Sequence, residues 1–200
     1  ASTVAAQVDL LYAVALTDQT REATAGDKLH FTFKHALACV GENVTVVCSS
    51  ALQSALNDEA ADKVRVLLNS VSVTYHLTAK ARLVLWNSGD ANWQPILSGD
   101  LITDRTVSYL SGGSEVIYDT STSLGTGWTS LGYQGVFYIP LDVAGNYQSA
   151  EISLEYTIER TTGAVVSTST VSATNSLQLR SYPASFAPGK KMDLTLTLSQ

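Results

Sequence analysis

The sequence EISLEYTIER, residues 151–160, has the most regular pattern in the chain and decides its fold class. Its apolar residues, Ile152, Leu154, Tyr156 and Ile158, are separated by Ser153, Glu155 and Thr157. Successive side chains of a β-strand point to opposite faces of the sheet, so this period of two predicts a strand with one buried face and one solvated face. Residues 192–198, MDLTLTL, repeat the pattern with Met192, Leu194, Leu196 and Leu198.

Other segments extend this pattern along the chain. Less regular strand candidates occupy residues 8–16, 44–48, 64–77, 82–86, 115–118, 135–141, 165–169 and 176–182. Clusters of Gly, Asn, Asp and Ser lie between many of them, and only residues 50–63 have helical spacing. Many short strands without an alternation of strands and helices predict an all-β fold, an antiparallel β-sandwich. We expect one domain over residues 1–200, with a loop-rich excursion at about 97–135.

The composition limits the classes of function. The chain has 200 residues, of which 45% are hydrophobic, which suffices for one sizeable core. It has 18 acidic and 12 basic residues, and the net charge of −6 opposes binding to nucleic acid or to an anionic membrane surface. Charged residues make up only 15% of the chain, while Ser, Thr and Val are abundant. This bias favours an exported β-protein.

The amino terminus shows no targeting signal. The stretch ASTVAAQVDLLYAVAL, residues 1–16, has no basic start and carries Asp9 inside its apolar run, unlike a secretory signal peptide. No stretch is long enough to span a bilayer. Because the chain begins with Ala, we expect a mature or trimmed form whose targeting peptide is already removed.

Residues for catalysis are sparse. The only histidines are His30, His35 and His76, and the sequence contains no nucleophile elbow, no phosphate-binding loop, no dinucleotide fingerprint and no H-E-x-x-H motif. We therefore expect no enzymatic activity and no cofactor.

The two cysteines allow more than one interpretation. His35 and Cys39 are four residues apart and Cys48 follows, but a structural zinc site needs a fourth ligand and no neighbour supplies one. In an exported protein, Cys39 and Cys48 would close a short loop as a disulfide. The alternative is that both are buried as small apolar side chains. The sequence does not decide between these two.

Tryptophans offer the one binding site that the composition suggests. Trp86, Trp93 and Trp128 lie in or beside the turn-rich middle of the chain. Exposed rings there would stack on sugars or anchor a protein partner, which makes a surface carbohydrate-binding module the alternative function. The competing interpretation is that the rings cap the ends of the sandwich.

A change of pattern marks LHFTFKHALACV, residues 29–40. Leu29, Phe31 and Phe33 alternate with polar residues, which predicts a strand with these three side chains buried. The alternation stops at HALA, residues 35–38, where the absence of β-branched residues predicts a tight helical turn.

Three motifs together resemble a known family. They are DLLY at residues 9–12, FKHALACV at residues 33–40, and FAPGKK at residues 186–191 before the last alternating strand. In this order, they resemble the carboxy-terminal half of the fimbrillin-like family, the type V pilin-related fimbrial subunits of Bacteroidales bacteria. The resemblance covers nearly the whole chain, although Cys39 stands where the family usually has a variable, often polar residue.

The resemblance implies a transthyretin-like Greek-key β-sandwich in a protein exported as a lipoprotein precursor. It implies a non-catalytic fimbrial (pilus) subunit, or a tip or accessory adhesin, in a fimbrium at the cell surface and outer membrane. By this resemblance we expect a chain without the family's amino-terminal domain and lipidated cysteine, either because that domain is removed or because this is a shortened member. In this context Phe33 ends a strand and HALA becomes a structural corner: His35 bonds backbone, Ala36 permits close packing and Leu37 fills the core.

Assembly in this family resembles donor-strand exchange, in which a strand of one subunit completes the sheet of the next. Residues 8–16 would be a strand whose removal opens a groove, and Met192, Leu194, Leu196 and Leu198 would form the donated strand. The alternation ends just before Gln200, which favours a tip or accessory member over a stalk subunit. The expected partners are other fimbrial subunits, together with a host or bacterial surface protein or glycan.

Overall fold

The computed structural model describes residues 9–15, 31–85, 91–122, 125, 127–130, 135–183 and 185–199. Its elements in chain order are β1 (Leu11–Ala15), β2 (Phe31–His35), β3 (Ala38–Cys48), α1 (Ser50–Asn57), β4 (Lys63–Thr78), β5 (Ala81–Leu85), β6 (Ala91–Pro95), β7 (Ile102–Leu110), β8 (Glu115–Asp119), β9 (Trp128–Thr129), β10 (Val136–Tyr138), β11 (Ser149–Thr162), β12 (Val165–Gln178), a 3-10 turn (Leu179–Ser181) and β13 (Lys191–Leu198). The predicted all-β fold is confirmed, with several antiparallel sheets.

Two sheets form the sandwich. In the small sheet, β3 is central, with β13 on one side and β9 and β10 on the other. In the large sheet, the order is β12, β11 and β4, and then β8 and β7, which pair with successive parts of β4. The core lies between them, and its fully buried members include Val40, Val44 and Val46 of β3 and Val66, Leu68, Val71, Val73 and Tyr75 of β4.

One pairing in the small sheet departs from the antiparallel prediction. β13 runs parallel to β3, from Lys191 opposite Cys39 to Leu198 opposite Cys48. Met192 lies opposite Val40 and Leu194 opposite Val44, so β3 bulges between these two pairs.

The β1–β2 ribbon is a separate two-stranded sheet. Ala13 lies opposite Phe33, so these two residues share a face, and Phe31, two positions before Phe33, lies on the same face. On this face, Phe31 is 51% exposed and Phe33 is 67% exposed, whereas Tyr12, whose side chain points to the other face, is buried. The prediction that Phe31 and Phe33 are buried is wrong. Their alternation forms a strand, but no second sheet covers it within the described part of the chain.

The predicted helix is present but shorter than expected. It spans Ser50–Asn57, and the Ser49 hydroxyl caps it by accepting a hydrogen bond from the Leu52 backbone N–H at 3.1 Å. Leu52 and Leu56 are buried against the core. The rest of the predicted segment, residues 58–63, leaves the helix and leads into β4.

Other sequence-based boundaries shift. The segment at about 97–135 contains β7, β8 and β9, so only part of it is loop. Residues 176–182 include the end of β12 and the 3-10 turn rather than a strand of their own. Strand β6 had no counterpart among the predicted strands. None of the helices among the described residues combines the length and the apolar character that crossing a membrane would require.

Candidate functional site

The corner between β2 and β3 is a bend, and the predicted helical turn is wrong. Ala36 is fully buried, and its backbone N–H donates to the Leu10 carbonyl at 2.8 Å. Its carbonyl accepts a hydrogen bond from Nε1 of Trp93, also at 2.8 Å. Leu37 is only half-buried, so it does not fill the core as the resemblance implied. The corner packs closely because alanine has a small side chain.

His35 binds a carboxylate and not the backbone partner that the resemblance implied. Its Nδ1 lies 2.5 Å from Oδ2 of Asp9, and the imidazole is 58% exposed. The two residues are 26 positions apart, so local sequence spacing did not reveal the pair. This contact connects Asp9, just before β1, to His35 at the corner between β2 and β3.

The disulfide that the sequence allowed between Cys39 and Cys48 does not form. Both residues are free thiols in β3, nine positions apart. A strand rises about 3.3 Å per residue, so their Cα atoms are separated by roughly 30 Å, against the ~7 Å that a disulfide tolerates. Both are buried, as the alternative interpretation held. No group of three or more metal-ligating side chains occurs in the part of the chain that the structure describes.

Asp9, His35 and Cys39 line one small cavity of about 210 Å³. These residue types serve in cysteine hydrolases, where the thiol must ionise readily. Here the pKa of Cys39 is raised to about 11, chiefly by burial and also by the nearby Glu42 carboxylate. The group therefore holds a protonated thiol at neutral pH and lacks an activated nucleophile.

We expect both thiols to resist alkylation in the folded protein. Burial raises the pKa of Cys39 and of Cys48 from 9.0 to about 11, which lowers the thiolate fraction at pH 8 about a hundredfold. Iodoacetamide should label neither residue in buffer and both in urea, as read by mass spectrometry of the intact chain. Labelling of one cysteine before unfolding would contradict the burial that the structure shows.

The structure describes two of the three tryptophans, and these two contact opposite ends of β3. Trp86 lies outside the described residues. Trp93, on β6, is half-buried and uses its N–H on the Ala36 carbonyl. Trp128, on β9, lies opposite Val46 and packs against the core. Ala36 precedes β3 and Val46 lies near its far end, so the two described rings contact opposite ends of this strand.

The segment predicted for strand exchange completes the chain's own small sheet. Met192, Leu194 and Leu198 are buried in the core, and Leu196 is partly buried against it. The Lys190 carbonyl accepts from the Cys39 N–H at 2.9 Å. At the other end the Leu198 carbonyl accepts from the Ser49 N–H at 2.8 Å. A donor role between subunits would require this strand to leave that position.

The opposite edge of β13 is open with respect to the strands that the structure describes. The Lys190 carbonyl points towards β3, and the Leu198 carbonyl points towards the residue that follows β3. The direction of the backbone groups alternates along a strand, so those of every second residue between Lys190 and Leu198 also point towards β3. The intervening residues Asp193, Thr195 and Thr197 therefore present their backbone N–H and C=O groups to the other side. Among the described strands, none pairs with β13 there.

The large sheet extends past this open edge. β12 is its outermost strand, and almost all of its residues are exposed. Along β11, Ile152 is buried, but Leu154, Tyr156 and Ile158 on the same face are only half-buried. Between this overhang and β13 lies a cleft of about 210 Å³, and we call it the edge cleft. It is lined by Ile152, Leu154, Tyr156, Ala173, Thr174, Asn175, Leu196, Thr197, Leu198 and Ser199.

Comparisons of the chain with protein-family models, curated proteins and solved structures found no match.

Proposed function

We propose that the protein is a non-catalytic subunit of a cell-surface assembly, and that it accepts a β-strand from a neighbouring subunit along the open edge of β13. The observation that carries the proposal is the edge cleft, where unpaired backbone groups of β13 lie beside the half-covered apolar face of β11. An added strand would satisfy those backbone groups and cover that face at once.

A second copy of the chain offers a suitable strand. Phe31 and Phe33 on β2 are exposed on one face of the β1–β2 ribbon, and Leu11 on β1 is 50% exposed beside them. β2 pairs only with β1 among the described strands. Exposed apolar residues at alternate positions of a strand that pairs with only one described neighbour are what the edge cleft would accept. In this proposal the donated strand is β2 and not β13.

Such a contact joins two different surfaces, the ribbon of one copy and the edge cleft of the next. A head-to-tail contact of this kind does not saturate in a dimer and builds rings or filaments. This geometry, the low fraction of charged residues and the resemblance to fimbrillin-like proteins support a fimbrial subunit, or a tip or accessory adhesin, exported to the cell surface. The transthyretin-like Greek-key arrangement belongs to the same proposal.

The test is a pair of lysine substitutions on β12. Ala173 is exposed, lies opposite Leu154 and lines the edge cleft, so Ala173→Lys places a charge where the incoming strand would pack. Burying that charge should weaken self-association at least about tenfold, as measured by light scattering over a concentration series. Phe33→Ser, which removes an exposed donor side chain, should act in the same direction.

Ser172→Lys is the matched control, because Ser172 is the adjacent exposed residue and points to the opposite face of β12. It should associate as the wild type does. The proposal fails if the wild-type chain stays monomeric at all concentrations, or if the two lysine variants associate equally.

A further inference from the structure

A cavity of about 740 Å³ lies among the described residues. It lies between the β5–β6 hairpin, the start of β7 and the segment around β10. Its apolar walls include Leu10, Leu37, Leu77, Trp93, Phe137 and Ile139. Small-molecule sites have about this volume and this predominantly apolar lining, with a few polar groups that orient the ligand.

An arginine interrupts the apolar lining. Arg105 on β7 lies directly opposite Tyr75 of β4, so its side chain starts on the core-facing side of the sheet, as do those of Val107 and Tyr109 further along the strand. It is half-buried. Within the part of the chain that the structure describes, no carboxylate forms an ion pair with it. Charged side chains in such positions usually have a partner.

The other charged residues that line the cavity do not neutralise the charge of this arginine. Lys80, after β4, also lines the cavity and has no ion-pair partner among the described residues. Asp104 is the one acidic residue in the lining, and its Oδ1 is already held by Nδ1 of His76 at 2.7 Å. The cavity therefore combines apolar walls with an excess of positive charge.

Part of the wall is fixed before any ligand arrives. The Trp93 indole is held by its hydrogen bond to the Ala36 carbonyl, and Ala36 is fully buried at the corner. A preformed apolar wall costs a ligand less ordering than a flexible one.

We infer that this cavity binds an amphipathic carboxylate of the fatty-acid type, with the acyl chain against the apolar wall and the carboxylate on Arg105. The planar guanidinium presents paired N–H donors that match the two oxygens of a carboxylate, and Lys80 adds positive charge at the same site. The inference is independent of the edge cleft, which is lined by other residues.

Calorimetric titration with decanoate, kept below its micelle concentration, tests the inference. The wild-type chain should bind one equivalent saturably, whereas decyltrimethylammonium, with the same chain and the opposite charge, should not. Arg105→Gln should weaken decanoate binding at least about tenfold, since a hydrogen-bonded charge pair is lost. Arg105→Lys should weaken it less, because the charge remains.

Arg82→Gln serves as the control, since Arg82 is an exposed arginine on β5 outside the cavity lining. It should bind decanoate as the wild type does. The inference is overturned if decanoate does not bind saturably, if the cationic amphiphile binds equally well, or if Arg105→Gln and Arg82→Gln bind alike. Thermal unfolding of each variant without ligand shows that the binding differences do not come from misfolding.

Discussion

Gly41→Ala should destabilise the protein by about 4 kcal/mol or more, a large part of the stability of a typical domain. Gly41 has a φ of +70°, in the bulge of β3. A Cβ there would lie 2.1 Å from the Tyr75 hydroxyl oxygen and 2.4 Å from that of Tyr109. Both distances are far inside van der Waals contact, so the tyrosines would have to move.

The two tyrosines have little room to move. Both are buried, their hydroxyl oxygens are 2.7 Å apart, and the Tyr109 hydroxyl donates to the Gly41 carbonyl at 2.9 Å. Displacing them breaks a buried hydrogen-bond chain, which costs about 1–3 kcal/mol for each group left unsatisfied. The left-handed backbone adds about 1–2 kcal/mol for a residue with a Cβ.

Urea unfolding followed by circular dichroism measures the loss. Gly112→Ala is the matched control, because Gly112 has a φ of +72° but nothing lies within 4 Å of its Cβ position. That variant should lose only the backbone contribution of about 1–2 kcal/mol. Equal losses in the two variants would mean that the tyrosine pair does not restrict Gly41.

The strands most accessible to sequence reasoning were those with strict alternation. Residues 151–160 and 192–198 both lie in strands, β11 and β13. No predicted strand covers β7, because Asp104 and Arg105 interrupt its apolar pattern. The same Arg105 lines the cavity between the β5–β6 hairpin and β7. Where a local pattern fails, a functional residue is a common reason.

The candidate site was harder to predict than the fold. Alternation predicts that a strand has two different faces, but it does not predict which face another sheet covers. For this reason the prediction that Phe31 and Phe33 are buried is wrong. The β12 sequence VVSTSTVSATNSLQ did carry a usable signal, because a strand with few large apolar residues on either face is unlikely to lie in the core. The parallel partner of β13 is 150 positions away, beyond the reach of local pattern.

Truncation after Lys191 should unfold the chain, and a peptide of residues 192–200 should restore the fold in trans. The truncation removes the buried side chains Met192, Leu194 and Leu198 and leaves one side of β3 unpaired. Losing three buried apolar side chains, at about 2–5 kcal/mol each, costs about as much as the whole stability of a typical domain. Because β13 pairs along its whole length with β3, the peptide carries every contact that the truncation removes.

Circular dichroism and protease resistance, measured as the peptide is titrated, report the recovery of structure. A peptide with serine in place of Met192, Leu194, Leu196 and Leu198 keeps the backbone but lacks the apolar face, so it should restore nothing. Recovery with the native peptide alone would show that the small sheet can be completed by a strand from a separate molecule, which strand exchange between subunits requires. If the truncated chain remains folded by itself, β13 is dispensable to the core, and Met192, Leu194 and Leu198 become available as a donor after all.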